Sequence, residues 1–186
     1  MRIIGGKAKG TKLYTLEGEN TRPTLDRVRE SLFNILQFRL QDSIFLDLFS
    51  GSGACGIEAV SRGARKAILC DKSKQAIEII KKNIEKTHTQ EQIELYQTTF
   101  EELLKTKIKE KLDVIFIDPP YDTDFAYKAV RIILENSLID ENSMIIIETD
   151  QEKRIKEQLQ ELEIEIMDER KYGRAHLIFL SQKRKG

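Results

Sequence analysis

Five short apolar runs, at residues 44–49, 67–70, 93–96, 114–117 and 144–147, recur along the chain with longer mixed stretches between them. The runs are continuous rather than alternating and rich in β-branched residues, the pattern of strands covered on both faces. Helix-like stretches at 57–62, 75–86, 101–107 and 125–134 separate them, which predicts a parallel, doubly wound α/β sheet. Two further strand-like pieces, 164–167 and 177–180, have no clear helix between them, and their short connection predicts an antiparallel pair at the sheet edge. Upstream, Val28, Leu32, Ile35 and Leu36 fall at helical spacing. They predict an amphipathic helix running to about residue 40, with Thr24 as its cap after the break at Arg22-Pro23. Arg2-Ile3-Ile4 and Thr11-Lys12-Leu13-Tyr14 flank a glycine-rich turn as a hairpin. Residues 1–40 are thus expected to form a hairpin-and-helix extension on an α/β domain spanning 41–186.

The chain has 186 residues, enough for one domain of ~150 residues or more that buries its core without disulfide or metal staples. No apolar run approaches the ~18 residues of a membrane span, and the N-terminal residues lack the apolar core of a secretory signal. Cys55 and Cys70 have no CxxC spacing, so neither a disulfide scaffold nor a cysteine-built zinc site is expected, and a reducing cytoplasm is the expected location. The net charge of zero is unevenly spread: residues 1–29 carry +4, residues 170–186 carry +6, and the stretch between carries −10. Two basic ends make one polyanion-binding face if the fold joins them, whereas the last five residues alone read more simply as a solvated tail.

Candidate chemistry begins where the first core run enters Asp47-Leu48-Phe49-Ser50-Gly51-Ser52-Gly53-Ala54-Cys55-Gly56. Gly51, Gly53 and Gly56 spell GxGxxG between a strand and a helix, where glycine permits a tight turn and lets backbone N–H groups approach a ligand. Asp71, twenty residues after Gly51 at the end of the second run, is placed to accept hydrogen bonds from ribose hydroxyls. These features suit a nicotinamide dinucleotide as well as S-adenosylmethionine. Asp47 separates the two, because a carboxylate there repels a pyrophosphate and attracts an ammonium group. Its plainer reading is a residue that braces the loop.

The fourth run empties into Asp118-Pro119-Pro120-Tyr121. Ligands of open α/β sheets sit beyond the carboxyl ends of the strands, where strand order reverses, so Asp118 should face the glycine loop. Two prolines stiffen the backbone and remove two N–H donors, which leaves a carboxylate and carbonyl oxygens suited to an –NH₂ group. Tyr121 offers a face on which a planar base can stack, worth ~1–3 kcal/mol. Hydrogen bonds to Asp118 and the Pro119 carbonyl would draw a conjugated amine toward tetrahedral geometry and free its lone pair for attack on a sulfonium methyl. A rigid strand-to-helix turn is the plainer reading of the same tetrapeptide.

Several segments together carry a family resemblance. They are Arg2-Ile3-Ile4-Gly5-Gly6 with Gly10, Arg22-Pro23-Thr24, Asp26-Arg27-Val28-Arg29-Glu30, Leu32-Phe33-Asn34-Ile35-Leu36, the loop after Leu46, Gly56-Ile57-Glu58-Ala59, Ser61-Arg62-Gly63-Ala64, Asp118-Pro119-Pro120-Tyr121 and Tyr172-Gly173. On these the sequence resembles the bacterial methyltransferases that modify the N2 amine of a guanine in 16S ribosomal RNA. The resemblance spans almost the whole chain. It implies a class I, Rossmann-like methyltransferase fold, with a mostly parallel seven-stranded sheet and an antiparallel last strand. It implies S-adenosyl-L-methionine as donor and S-adenosyl-L-homocysteine as product, no metal, and 16S rRNA, free or in an assembling 30S subunit, as partner. Catalytic roles would fall to Asp118, Pro119, Pro120 and Tyr121, and cofactor contacts to Asp47, Phe49, Gly51, Ser52, Gly53, Asp71, Lys72, Thr99, Phe100 and Asp118. Thr99 and Phe100 stand where such enzymes often carry an acid for the adenine amine; here one would accept a hydrogen bond and the other pack on the base. RNA contacts are expected from Lys7, Lys9 and Lys12 on the hairpin and from Arg22, Thr24 and Arg27 before the glycine loop, while Tyr172 and Arg174 are either further contacts or turn residues. His88 is expected at a solvated helix end and His176 in a strand, neither needed as a base. Other functions compatible with the motifs are an adenine-N6 or cytosine-N4 methyltransferase, a non-catalytic RNA-binding or ribosome-assembly factor, and a nicotinamide oxidoreductase.

Overall fold

The computed structural model describes residues 1–16 and 23–183, with side chains in the first helix described from Asp26 onward. That helix, α1 (Pro23–Leu36), begins on a proline, whose missing N–H is not needed in a first turn, and carries Asp26 near its positive end. There follow β1 (Ile44–Asp47), α2 (Ala54–Ser61), β2 (Lys66–Asp71), α3 (Lys74–Thr87), β3 (Ile93–Gln97) and α4 (Phe100–Glu102), which continues as a π-helical turn (Leu103–Lys107). Then come β4 (Val114–Ile117), α5 (Phe125–Glu135), β5 (Met144–Thr149), α6 (Glu152–Leu159), β6 (Ile164–Tyr172) and β7 (Ala175–Gln182). The seven strands form one sheet in the order β3-β2-β1-β4-β5-β7-β6. All pairings are parallel except those of β7, which is antiparallel to both β5 and β6.

Continuous apolar runs are explained by helices on both faces. On one face Leu46, Ile68, Ile115, Ile117, Ile145 and Ile147 pack against Leu103, Ala129, Ile133 and Ile155 of the π-helical turn, α5 and α6. On the other, Phe45, Leu69, Val114, Phe116 and Ile146 meet Leu32, Phe33, Ile57 and Ile80 of α1, α2 and α3.

The N-terminal hairpin is closed by a single antiparallel bridge between Arg2 and Lys12, and a buried acid fastens it to α2. Glu58 accepts the Ile4 N–H and the Gly5 N–H, each at 2.8 Å, and the Arg62 Nε–H at 2.7 Å. The Ser61 hydroxyl donates to the Gly5 carbonyl at 2.6 Å and accepts the Ala8 N–H at 2.9 Å. Gly6, at φ 75°, lies so close that a Cβ there would sit 1.7 Å from the Ser61 carbonyl oxygen. Asn83 of α3 locks the second arm, accepting the Tyr14 N–H at 2.8 Å and donating to the carbonyls of Tyr14 and Ser52 at 2.9 Å. The Arg-Ile-Ile-Gly-Gly and Ser-Arg-Gly-Ala segments are thus two halves of one polar joint.

Three local expectations differ from the structure. α1 stops at Leu36 rather than near residue 40, because Leu40 turns inward to the core from a tight turn in which the Ser43 N–H donates to the Leu40 carbonyl. Thr24 lies inside the first turn instead of capping it, since Pro23 already opens the helix. α6 was not anticipated, because its apolar stripe reduces to Ile155 and Leu159, too short a pattern to read.

The basic C-terminus is also divided. β7 runs away from its turn with β6, so Lys171 and Arg174 stand at the carboxyl ends of the parallel strands while Lys183 bonds Glu163 at the far end. Arg22 and Arg184 to Gly186 lie outside the described residues.

Candidate active site

β1 and β4 are neighbours with Asp47 opposite Phe116, so the glycine loop and Asp118-Pro119-Pro120-Tyr121 leave the sheet at the same edge, from adjacent strand tips. The loop is tied down from both sides. Gly51, at φ 55°, donates its N–H to Asp71 Oδ2 at 3.0 Å, and Asp71 Oδ1 accepts the Ser73 N–H at 2.8 Å. The Ser50 hydroxyl donates to the Asp47 carbonyl at 2.7 Å and accepts the Cys70 N–H at 3.0 Å. Gly53 opens α2 at φ 80°, and Gly56 lets α2 lie on β2, where a Cβ would come within 2.4 Å of Leu69 Cδ1.

Asp47 is 2% exposed, and its Oδ2 accepts the Gly56 N–H at 3.0 Å. Burial raises its pKa to about 7, the Asp71 carboxylate adds to the rise, and the Gly56 bond opposes it. Asp47 therefore does brace the loop, and it is also an acid whose ionised form a nearby cation would favour. Arg29 of α1 is also buried: its Nη2 donates to the Arg2 carbonyl at 2.5 Å and to Asp26 at 3.2 Å, while Nε and Nη1 have no partner among the described residues. Asp47, Arg29, Glu148 and Asp118 each act electrostatically on the Cys55 thiol in the first turn of α2. Burial, then Asp47, push that thiol well above its ordinary range, and burial pushes Cys70 to about 12.

The other residues expected at a cofactor are less uniform. Ser52 is buried in the loop and Lys72 is exposed beyond it. Phe49 stacks on Phe125 at 6.2 Å and meets Phe100 at 5.3 Å. Phe100 is buried within this trio, so its ring serves as core wall rather than as an open surface for an adenine. Thr99 uses its hydroxyl to cap α4, accepting the Glu102 N–H at 3.2 Å.

The tetrapeptide borders a cavity of about 470 Å³. Asp118 is exposed toward solvent, Pro119 half-buried, and Tyr121 stands at the rim with 76% of its surface exposed. The Pro120 carbonyl accepts the Thr123 hydroxyl at 2.8 Å, so this oxygen closes the turn rather than standing open as the sequence suggested. Next to the tetrapeptide the cavity is lined by Glu148 and Thr149 at the tip of β5 and by Tyr172, Gly173 and Arg174 around the β6–β7 turn. Sequence reasoning missed Glu148; an acid directly after the apolar run 144–147 was the available signal. Burial raises its pKa to about 7.

A second cavity, of about 830 Å³, runs between Arg27, Ser31 and Asn34 of α1 and Lys171, Tyr172 and Gly173. Tyr172 and Gly173 border both cavities, and the Tyr172 hydroxyl hydrogen-bonds Ser31. Lys7, Lys9 and Lys12 are exposed on the hairpin. His88 is the exposed residue ending α3, and His176 is buried in β7 between Glu169 at 2.9 Å and Glu152 at 3.5 Å. Among the described residues no cluster of three or more His, Cys, Asp or Glu is arranged to hold a metal, and no helix is long and apolar enough to cross a membrane.

Comparison with known proteins agrees with this geometry. The family model described as conserved hypothetical protein 95 matches residues 1–181. The ribosomal RNA small subunit methyltransferase D of Haemophilus influenzae is 36% identical over 155 residues, which cover 82% of this chain and 80% of that protein. The structure of a hypothetical protein from Thermus thermophilus superposes with a TM-score of 0.77 at 29% identity, over 96% of this chain and 98% of that one. A ribosomal protein L11 methylase from Lactobacillus delbrueckii shares the fold at 20% identity, with a TM-score of 0.69 over 83% of this chain and 77% of that one. The seven-stranded sheet with its reversed β7 is thus a class I methyltransferase fold. With its length matched almost end to end, this chain belongs to the conserved hypothetical protein 95 family, a 16S ribosomal RNA methyltransferase family.

Proposed function

We propose that the protein transfers a methyl group from S-adenosyl-L-methionine to the exocyclic N2 amine of a guanine in 16S rRNA, in the cytoplasm, on free rRNA or on an assembling 30S subunit. The observation that carries this reading is the acceptor-lined cavity at the tips of β4 and β5, one strand away from the glycine loop. The loop residues fit the donor. Asp71, whose oxygens accept the Gly51 and Ser73 N–H groups, keeps lone pairs for ribose hydroxyls, Asp47 is a buried acid that an ammonium would ionise, and Arg29 has two unpartnered guanidinium nitrogens for a carboxylate. Gly51, Ser52 and Gly53 bring backbone close, Phe49 lines the wall, and Lys72 and Thr99 flank the site. When bound, S-adenosylmethionine supplies a methyl made electrophilic by its sulfonium.

On the substrate side, Asp118 and the Pro119 carbonyl accept the two amine N–H groups and orient the nitrogen lone pair, while Pro120 fixes the turn and Tyr121 stacks on the base. Once the new N–C bond makes the amine cationic, Asp118 or water takes its proton, so no strong base is required. Lys7, Lys9, Lys12 and Arg27, with Arg22 and Thr24 nearby in sequence, hold phosphates and leave sequence reading to the cavity. The test is methyl transfer from labelled S-adenosylmethionine to 30S particles and to 16S rRNA lacking the mark, followed by nucleoside analysis. N2-methylguanine is expected; label found only in adenine, cytosine or DNA would overturn the assignment.

A further inference from the structure

We infer that Glu148 determines the choice of base, accepting the ring N1–H of guanine beside the amine held by Asp118; this rests on the reading above. Ile117 and Ile147 are register partners in the parallel β4–β5 pair, so Asp118 and Glu148 are the next residues on neighbouring strands, whose spacing is ~4.8 Å. Both line the same cavity, and the charges of both reach Cys55. Two carboxylates side by side at one cleft are matched by a ligand edge that presents adjacent hydrogen-bond donors.

The bases that carry an exocyclic amine differ in what stands next to it. In adenine and cytosine the neighbouring ring nitrogen presents a lone pair, which Glu148 would repel. In guanine that nitrogen carries a hydrogen, so N1–H and the N2 amine form one continuous row of donors facing the two acids. Tyr172, Gly173 and Arg174 line the same cavity as the two acids. An acid held at about 7 by burial is drawn to its ionised form by such a donor.

The experiment compares two versions of a 16S rRNA fragment at the position the wild type methylates: guanine, and 2-aminopurine, which keeps the N2 amine but has a lone pair at N1. The wild type should prefer guanine by on the order of 10²-fold in kcat/KM, the value of one charge-assisted hydrogen bond. Glu148→Gln, whose amide can turn its NH₂ toward a ring lone pair, should bring the ratio within about threefold. S-adenosylhomocysteine binding should be unchanged, which reports that the variant is folded. Should that variant lose both substrates, Glu148→Asp decides, a retained preference supporting the role and an equal use of both bases refuting it. A wild type that uses both bases equally, or a Glu148→Gln that keeps the full preference, overturns the role of Glu148. A wild type that leaves guanine unmethylated overturns the proposed function instead.

Discussion

Asp47→Asn should make the protein more stable and a poorer binder of its donor. The asparagine side-chain oxygen can still accept the Gly56 N–H, so the change removes the charge and keeps the brace. In the wild type this carboxyl titrates near 7 when folded against 3.8 ordinarily, so between those values the folded state binds more protons than the unfolded one. Stability therefore falls as pH rises from about 4 to about 7 and is level above that. At 1.36 kcal/mol per tenfold change, the full difference is ~4 kcal/mol above pH 7. For a chain of this size that corresponds to a melting temperature higher by roughly 10 °C in the variant at pH 8, and equal at pH 4. Binding moves the other way. Loss of a charge-assisted bond to an ammonium costs ~1.5–3 kcal/mol, or roughly 10- to 150-fold in Kd. Thermal unfolding from pH 4 to 8.5 and titration calorimetry with S-adenosylhomocysteine measure both. A variant that melts below the wild type at pH 8, or that binds as tightly, refutes the account of Asp47 as a destabilising acid kept for a cation.

Asp118→Ala should lower turnover by about 10²–10³-fold with the fold intact, read as methyl transfer at saturating substrates; a change under threefold would instead favour a non-catalytic RNA-binding role. Gly56→Ala should destabilise by about 1–3 kcal/mol in denaturant unfolding, because its Cβ would come within 2.4 Å of Leu69 Cδ1 and the buried Leu69 side chain would have to shift. Arg27→Ala with Lys171→Ala should raise KM for rRNA, leave kcat unchanged, and lower the salt slope of binding by about one per residue, measured by filter binding from 50 to 200 mM salt. Unchanged slopes would remove the cavity between α1 and the β6–β7 turn from the RNA path.

Much of this molecule was legible before any coordinates. All five core runs became strands; the four inner ones are apolar because both their faces are covered, whereas β3, at the sheet edge, is only half-buried and carries the exposed Glu94. The glycine loop and Asp118-Pro119-Pro120-Tyr121 were visible because turn chemistry is local: positive φ at Gly51 and Gly53, and two prolines, declare themselves in a handful of residues. What adjacent positions cannot carry came only from the assembled sheet. Pairing of β4 with β5 brings Glu148 next to Asp118 across an intervening helix, and burial from every side turns Asp47 into an acid titrating near 7. Glu58 and Asn83 carry no local signal of their role; contacts more than fifty residues away along the chain make them the fastenings of the hairpin. The downward course of β7 parts Lys171 and Arg174 from Lys183, a separation that charge counting along the chain had no means to express. Period and turn preference are properties of neighbours in sequence, whereas desolvation and convergence of charge belong to neighbours in space.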